Sequence, residues 1–379
     1  MLGSNFGLID SLLVSFLTVL FISIVIKFSS KIGMLDIPND RSSHVNPTPR
    51  GAGVAMFFAY MLVLLVFHLD FVYENIGFFT ALFMIFSVGV YDDNQGVSPK
   101  IKFIAIILAS LLIFFTNDIH IDTLGTWFGY EVKIHWIISL IITIFAIVGF
   151  TNALNLLDGL DGLAAGISSI IFLSFLYVGY TYGDSFIMIV SLVMLFSLIG
   201  FLFFNWNPAS IFMGDSGSLV LGFAISVVAI KATEYISVMS ILLIASMPIV
   251  DTLVVMTRRL QRGLSPFNPD KTHIHHKMLT WRGSVDYSVM ILIVIQLVFS
   301  SIGLLLREYG DESSFVLVAL MMYLFFNFLD ERKLVRDKLS LTKLKRSASL
   351  YIKNDLTYRG SIIIVCAIIC LLIILRVAL

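Results

Sequence analysis

Apolar residues fall into long unbroken runs, without the alternation of a strand or the one-sided stripe of a soluble helix. A bilayer core takes about 20 mostly apolar residues per helix. With that template, spans are predicted at Leu8–Ser29, Gly51–Leu69, Ile76–Val90, Ile101–Thr116, Trp136–Phe150 and Leu163–Tyr182. They continue at Phe186–Phe204, Ser218–Ile230, Ile236–Met256, Tyr287–Leu306, Ser314–Leu329 and Ser361–Leu379. Helices are required, because a backbone N–H or C=O left unpaired in lipid is too costly. No run has the dyad pattern of an outer-membrane barrel. The predicted fold class is all-α, a polytopic transmembrane helical bundle of about 11–12 spans. Residues 1–330 form the membrane core, 331–360 a basic segment and 361–379 a last apolar segment that spans the bilayer or lies in its interface.

Composition agrees. Of 379 residues, 58% are hydrophobic and 13% charged, whereas a soluble domain has about half apolar and a quarter charged residues. The formal net charge of +0 gives no footing for nucleic acid. Cys366 and Cys370 sit on one face of the last apolar run and read as packing residues, with no zinc or disulfide spacing. The first apolar run is too long for a signal-peptide core and lacks a basic leader, so no cleaved leader is expected.

Charge patterning orients the bundle. Lys27, Lys31, Arg41 and Arg50 follow the first span, and Lys100 and Lys102 the third. Arg258, Arg259, Arg262, Lys271, Lys277 and Arg282 follow the ninth, and 331–359 is basic throughout. Simple alternation of the spans puts all of these on one side. The other side carries Asp70, Glu74, Asp118, Asp122, Asp184, Glu308, Asp311 and Glu312. The positive-inside rule places the basic loops in the cytoplasm and the N-terminus outside.

Five polar clusters all fall on that basic side. Pro38 to Gly53 (PNDRSSHVNPTPRGAG) offers Arg41, His44 and Arg50 to a phosphate, or is an ordinary cationic loop. Asp92 and Asp93 end an apolar run, where adjacent carboxylates repel and call for a metal or a cation such as Lys100 or Lys102. In NALNLLDGLDGLAAG, a helical or turn-like backbone gathers Asn152, Asn155, Asp158 and Asp161 on one side, and the glycines allow close backbone approach. The spacing and terminal Glu of a calcium loop are missing. Asp215, in FMGDSGS, opens an apolar helix as an N-cap or a Mg²⁺ ligand. Asp251 lies inside an apolar run, and His273, His275 and His276 follow it in a long loop. No Cys or HExxH accompanies them, which weighs against zinc and against a membrane metalloprotease.

Taken together, DD, NxxNxxDGxDGLAAG, FMGDSGS and DxxHIHH resemble the polyprenyl-phosphate N-acetylhexosamine-1-phosphate transferases, relatives of phospho-MurNAc-pentapeptide transferase. The resemblance runs from Asp36 to Met278. The HIHH arrangement looks more like the hexosamine branch, since the muramyl branch more typically has three consecutive histidines. Ala52 departs from a common glycine.

The resemblance implies transfer of sugar-1-phosphate from a UDP-N-acetylhexosamine to undecaprenyl phosphate at a bacterial inner membrane, with UMP released and a surface polysaccharide begun. It implies Mg²⁺, or Mn²⁺ in its place, on Asp215. Asp92 and Asp93 are implied at the lipid phosphate, with Asp93 slightly preferred as the assisting carboxylate. Asp158 and Asp161 are implied as catalytic. His44, Arg50, Lys100, Lys102, Asn152, Asn155, His273, His275 and His276 are implied as substrate-binding. No nucleic-acid partner is implied, and a homodimer is left open. Muramyl-pentapeptide transfer is the enzymatic rival. A transporter or flippase is the rival of another class, and it should show midplane charges in two related halves. No such repeat is visible in the sequence.

Overall fold

The computed structural model describes residues 6–32, 35–36, 47–265, 273–282 and 284–328. His44, the basic segment 331–360 and the predicted span Ser361–Leu379 lie outside them. The chain runs α1 (Leu8–Ile32), β1 (Leu35–Asp36), β2 (Thr48–Pro49), α2 (Ala52–Phe67), α3 (Leu69–Glu74), α4 (Ile76–Gln95) and α5 (Pro99–Thr116). The hairpin β3 (Thr123–Trp127) and β4 (Tyr130–Lys133) follows, then α6 (Trp136–Leu157), α7 (Leu163–Tyr182), α8 (Ser185–Asn205) and α9 (Asp215–Ala232). The rest is α10 (Val238–Ile244), α11 (Ser246–Gln261), α12 (Ile274–Arg282), α13 (Val285–Leu306) and α14 (Asp311–Phe328).

Among the described residues, 8 helices are long and apolar enough to cross a bilayer, or 9 if the bent pair α10 and α11 counts as one. The protein is an all-helical, multi-pass membrane protein. Three predicted spans differ in detail, one being Ser314–Leu329, whose helix α14 is not among the eight. Helix α2 is apolar but only 16 residues long. The predicted span Ile236–Met256 is two helices meeting at 88°.

That break frees backbone groups at membrane depth, and α13 meets them. Gln296, fully buried, donates to the Ile244 carbonyl at 2.6 Å and accepts from the Met247 N–H at 3.0 Å. Ser300, a turn further on, donates to the same carbonyl at 3.0 Å. Irregular backbone is tolerated in a bilayer only where protein groups satisfy it in this way.

Helix α9 is the axis of the bundle. Its crossing window is 83% buried, against 22% for α1 and α5, which face lipid. Helices α2, α4 and α6 pack around it. Glycines allow the approach: a Cβ at Gly89 would stand 2.6 Å from Ser216 Cα, and one at Gly222 would stand 2.8 Å from Thr151 Cα. A Cβ at Gly53 would collide with the Gly217 backbone N. These contacts set the start of α9 between α2 and α4.

At the opposite end of the bundle, Asp311 accepts the Thr126 N–H of the hairpin at 2.6 Å and the Met239 N–H of α10 at 2.7 Å. One buried carboxylate therefore ties β3, α10 and α14 together.

Candidate active site

Gly96, at φ 72°, stops α4 just after its two acids, and Pro99 starts α5. The reversal brings Lys102, in the first turns of α5, back onto Asp92. The Lys102 Nζ lies 2.8 Å from Asp92 Oδ2 and also pairs with Asp215 Oδ2. Asp92 Oδ1 accepts the Val97 N–H at 2.7 Å, which fixes the turn.

Asp93 does something different. Helix α9 begins after Gly214, which has no side chain with which to cap it. Asp93 supplies the cap from α4, accepting the N–H of Asp215 at 2.8 Å and of Ser216 at 3.0 Å. Arg50 Nε closes on the same carboxylate at 3.1 Å, and Arg50 Nη2 reaches Asp215 Oδ1 at 3.3 Å. The Asp93 side chain is 1% exposed and that of Asp92 11%. Burial works against the Arg50 charge, but Asp93 and then Asp215 more than offset it, so its pKa stands above the usual guanidinium value.

Asp158 terminates α6. Withdrawal from water, and then the charge of Asp215, push its carboxyl up to about 7. Asp161 turns away to the loop before α9, where it accepts the Ala209 N–H at 2.9 Å. Asn205, buried, accepts the Gly162 N–H at 2.9 Å and donates to the Ile211 carbonyl at 3.0 Å, locking the two loops together. Asn155 donates to Ser218 Oγ at 2.8 Å, while Asn152 turns back to its own helix at Val148.

The histidines divide. Asp251, buried on α11, lies 2.8 Å from His273 Nδ1 and accepts the Ile274 N–H at 2.7 Å, so it both orients a ring and anchors the start of α12. His275 is buried against Gly159, where a Cβ would strike its Nε2. Burial pushes its imidazole down to about 3, which keeps it neutral. His276 lines a cavity of about 350 Å³ together with Asp36, Arg50, Asn155, Asp158, Asp161, Asn205 and Asp215.

Of the residues singled out in the sequence, Arg50, Asp92, Asp93, Lys102 and Asp215 form one ion-paired cluster, and Asn155, Asp158, Asp161 and His276 border the adjoining cavity. Lys100 is exposed, and His273 and His275 pack beneath the cavity lining. Asp36 and Asn205 were not singled out. Asp36, an isolated acid just after the first span, carried no motif to mark it. Asn205, at the end of an apolar run before Trp206, did carry a signal: an amide at that depth needs bonded partners.

The family model for glycosyl transferase family 4 matches residues 75–233, which reach from the start of α4 to the end of α9. A Bacillus subtilis protein described as a probable undecaprenyl-phosphate N-acetylglucosaminyl 1-phosphate transferase is 32% identical over 307 residues, covering 79% of this chain and 85% of its own. The chain belongs to glycosyl transferase family 4. The undecaprenyl-phosphate alpha-N-acetylglucosaminyl 1-phosphate transferase of Salmonella typhi is 26% identical, with 82% of this chain and 86% of that one covered. Its counterpart from Escherichia coli K12 is 25% identical, with 84% and 88% covered.

This family 4 site has a donor set suited to a hard divalent cation. Oxygens of Asp92, Asp93 and Asp215 all lie within 4.8 Å of one another, and no sulfur or imidazole stands among them. Both oxygens of Asp93 are already engaged by backbone N–H groups. Asp92 and Asp215 are thus the carboxylates whose facing oxygens both pair with the ammonium of Lys102.

Proposed function

We propose that the protein transfers N-acetylhexosamine-1-phosphate, with N-acetylglucosamine as the default sugar, from a UDP-sugar to undecaprenyl phosphate and releases UMP. The reaction takes place on the cytoplasmic face of a bacterial inner membrane, the side of the basic loops. The names of the relatives support the substrate pair. The observation that carries the reading is the meeting of Asp92, Lys102, Arg50 and Asp215 beside a cavity large enough for a charged donor, at one end of a lipid-facing bundle. The acceptor cannot leave the bilayer and the donor cannot enter it, so the chemistry must sit at such an edge.

Asp92 and Asp215 fit as holders of Mg²⁺, which when bound supplies neutralisation of the donor diphosphate and of the charge that builds on UMP. An oxygen of the lipid phosphate forms the new bond to the sugar-linked phosphorus, and the bond from that phosphorus to the UMP oxygen breaks. Asp93, the assisting carboxylate preferred from the sequence, caps α9 with both oxygens, and Asp92 has Oδ1 on the Val97 N–H, so the acceptor reacts as its ionised phosphate. Arg50 holds Asp215 in place, and His276 meets the donor phosphates across the cavity.

The test is UMP release by purified protein given UDP-N-acetylglucosamine, undecaprenyl phosphate and Mg²⁺. Release that needs both substrates and is lost in Asp215→Asn supports the reading. Release without lipid phosphate, or full activity in the variant, overturns it.

A further inference from the structure

Lys102 stands in the gap between the two carboxylates that would hold a metal ion. Its ammonium bridges Asp92 Oδ2, at 2.8 Å, and Asp215 Oδ2, and those two residues are the carboxylates left to ligate a cation once Asp93 is committed to α9. Mg²⁺ draws carboxylate oxygens to about 2.0–2.1 Å, a distance at which an ammonium cannot remain between them. Arg50 is differently placed. Its guanidinium grips Asp93 Oδ1 and Asp215 Oδ1, on the other edge of Asp215, and leaves the gap between Asp92 and Asp215 to Lys102.

Resting on the metal reading above, we propose that Lys102 is a tethered cation that keeps the metal's seat, and that a divalent ion enters by displacing it. In the metal-free protein the ammonium screens two carboxylates that would otherwise repel across the mouth of α9. A compact charge on a flexible four-carbon stem can leave without moving the helix, which a rigid guanidinium fork could not do as readily. The Lys102 side chain is 19% exposed, so a way out exists. Around it α5 presents Ile101 (53% exposed) and Ile104 (57%) outward.

The consequence runs against the usual result of removing a site residue: loss of Lys102 should tighten metal binding. Mn²⁺ binding to the purified, substrate-free full chain, read by electron paramagnetic resonance at low ionic strength, tests this without reference to turnover. Lys102→Met should bind Mn²⁺ on the order of tenfold more tightly than the unaltered protein. Lys102→Arg, which retains a competing cation, should not. Lys100→Met removes a neighbouring charge that lies outside the gap and should change affinity little. Mg²⁺ should also raise the melting temperature of Lys102→Met more than that of the unaltered protein, and a variant that folds only with Mg²⁺ present counts on the same side. Equal or weaker Mn²⁺ binding by Lys102→Met, or equal tightening by Lys100→Met, overturns the proposal. If the unaltered protein binds no Mn²⁺ that Asp215→Asn abolishes, the metal reading itself falls.

Discussion

Asp93 closes the first turn of the helix that Asp215 opens, accepting the Asp215 N–H at 2.8 Å and that of Ser216 at 3.0 Å across a sequence separation of 122 residues. Two neighbouring acids on α4 thus have separate duties. Asp92 pairs with the Lys102 ammonium, and Asp93 places Asp215, which shares it. A helix N-terminus favours a negative cap, and the Arg50 guanidinium offsets the cost of burying one.

The two acids should therefore fail differently. Asp93→Ala should lower stability by about 1–3 kcal/mol, since it strands buried N–H groups and leaves Arg50 short of a partner. Asp92→Asn should leave the melting temperature close to that of the unaltered protein while UMP release falls by about 100-fold or more. Thermal melts of detergent-solubilised protein, run beside the turnover assay, separate the two. Equal melting losses would remove the distinction.

Gly89 should tolerate no side chain. A Cβ there meets Ser216 Cα at 2.6 Å and the Asp215 carbonyl at 2.7 Å, and both are backbone atoms that cannot turn aside. Gly89→Ala is expected to cost about 1–3 kcal/mol and to shift Asp215 away from Asp92. A melt and a Mn²⁺ titration check the two effects, and a variant with normal values in both would contradict the close packing of α4 on α9.

Asp251 should act on the donor side alone. It fixes His273 and the start of α12, from which His276 reaches the cavity, and it lies on α11, away from the acids of α4 and α9. Asp251→Ala should raise KM for the UDP-sugar while Mn²⁺ affinity stays unchanged. A variant with unaltered KM would show that α12 needs no such anchor.

Asp158 gives the metal-free protein a pH signature. Its carboxyl stands at about 7 in the folded chain, against about 3.9 for an unperturbed Asp. The folded state therefore keeps a proton that the unfolded chain has released. Stability from this group is complete below the ordinary Asp range and declines as pH rises toward 7, above which the loss stays constant. Melting temperatures measured from pH 4 to pH 8 should decline less in Asp158→Asn than in the unaltered protein. Parallel profiles would contradict a raised carboxyl.

The spans were legible because a bilayer fixes their length and apolar character, and α5, α7 and α13 lie close to where the hydrophobic runs put them. The break between α10 and α11 was not. The stretch Ile236–Met256 read as one apolar run, and the amide that satisfies the bend, Gln296, belongs to another helix. The hairpin Thr123–Lys133 was also missed, since the stretch between two long apolar runs was read only for its charges. At the site, the acids and histidines were visible as costly residues near membrane depth. What each one does was not. Asp92 and Asp93 are equivalent by composition, and they differ only through Arg50, Lys102 and the start of α9, which arrive from distant parts of the chain. Likewise nothing in HIHH tells that His276 meets the cavity while His275 lies under Gly159.

A structure of the protein bound to Mn²⁺ and UDP-N-acetylglucosamine, with the metal located by its anomalous scattering, tests the central claim most directly. The account predicts a single peak between Asp92 and Asp215, with Lys102 drawn off and the diphosphate in the cavity between Arg50 and His276. A peak at the histidines, or a nucleotide at the Asp311 end of the bundle, would contradict it.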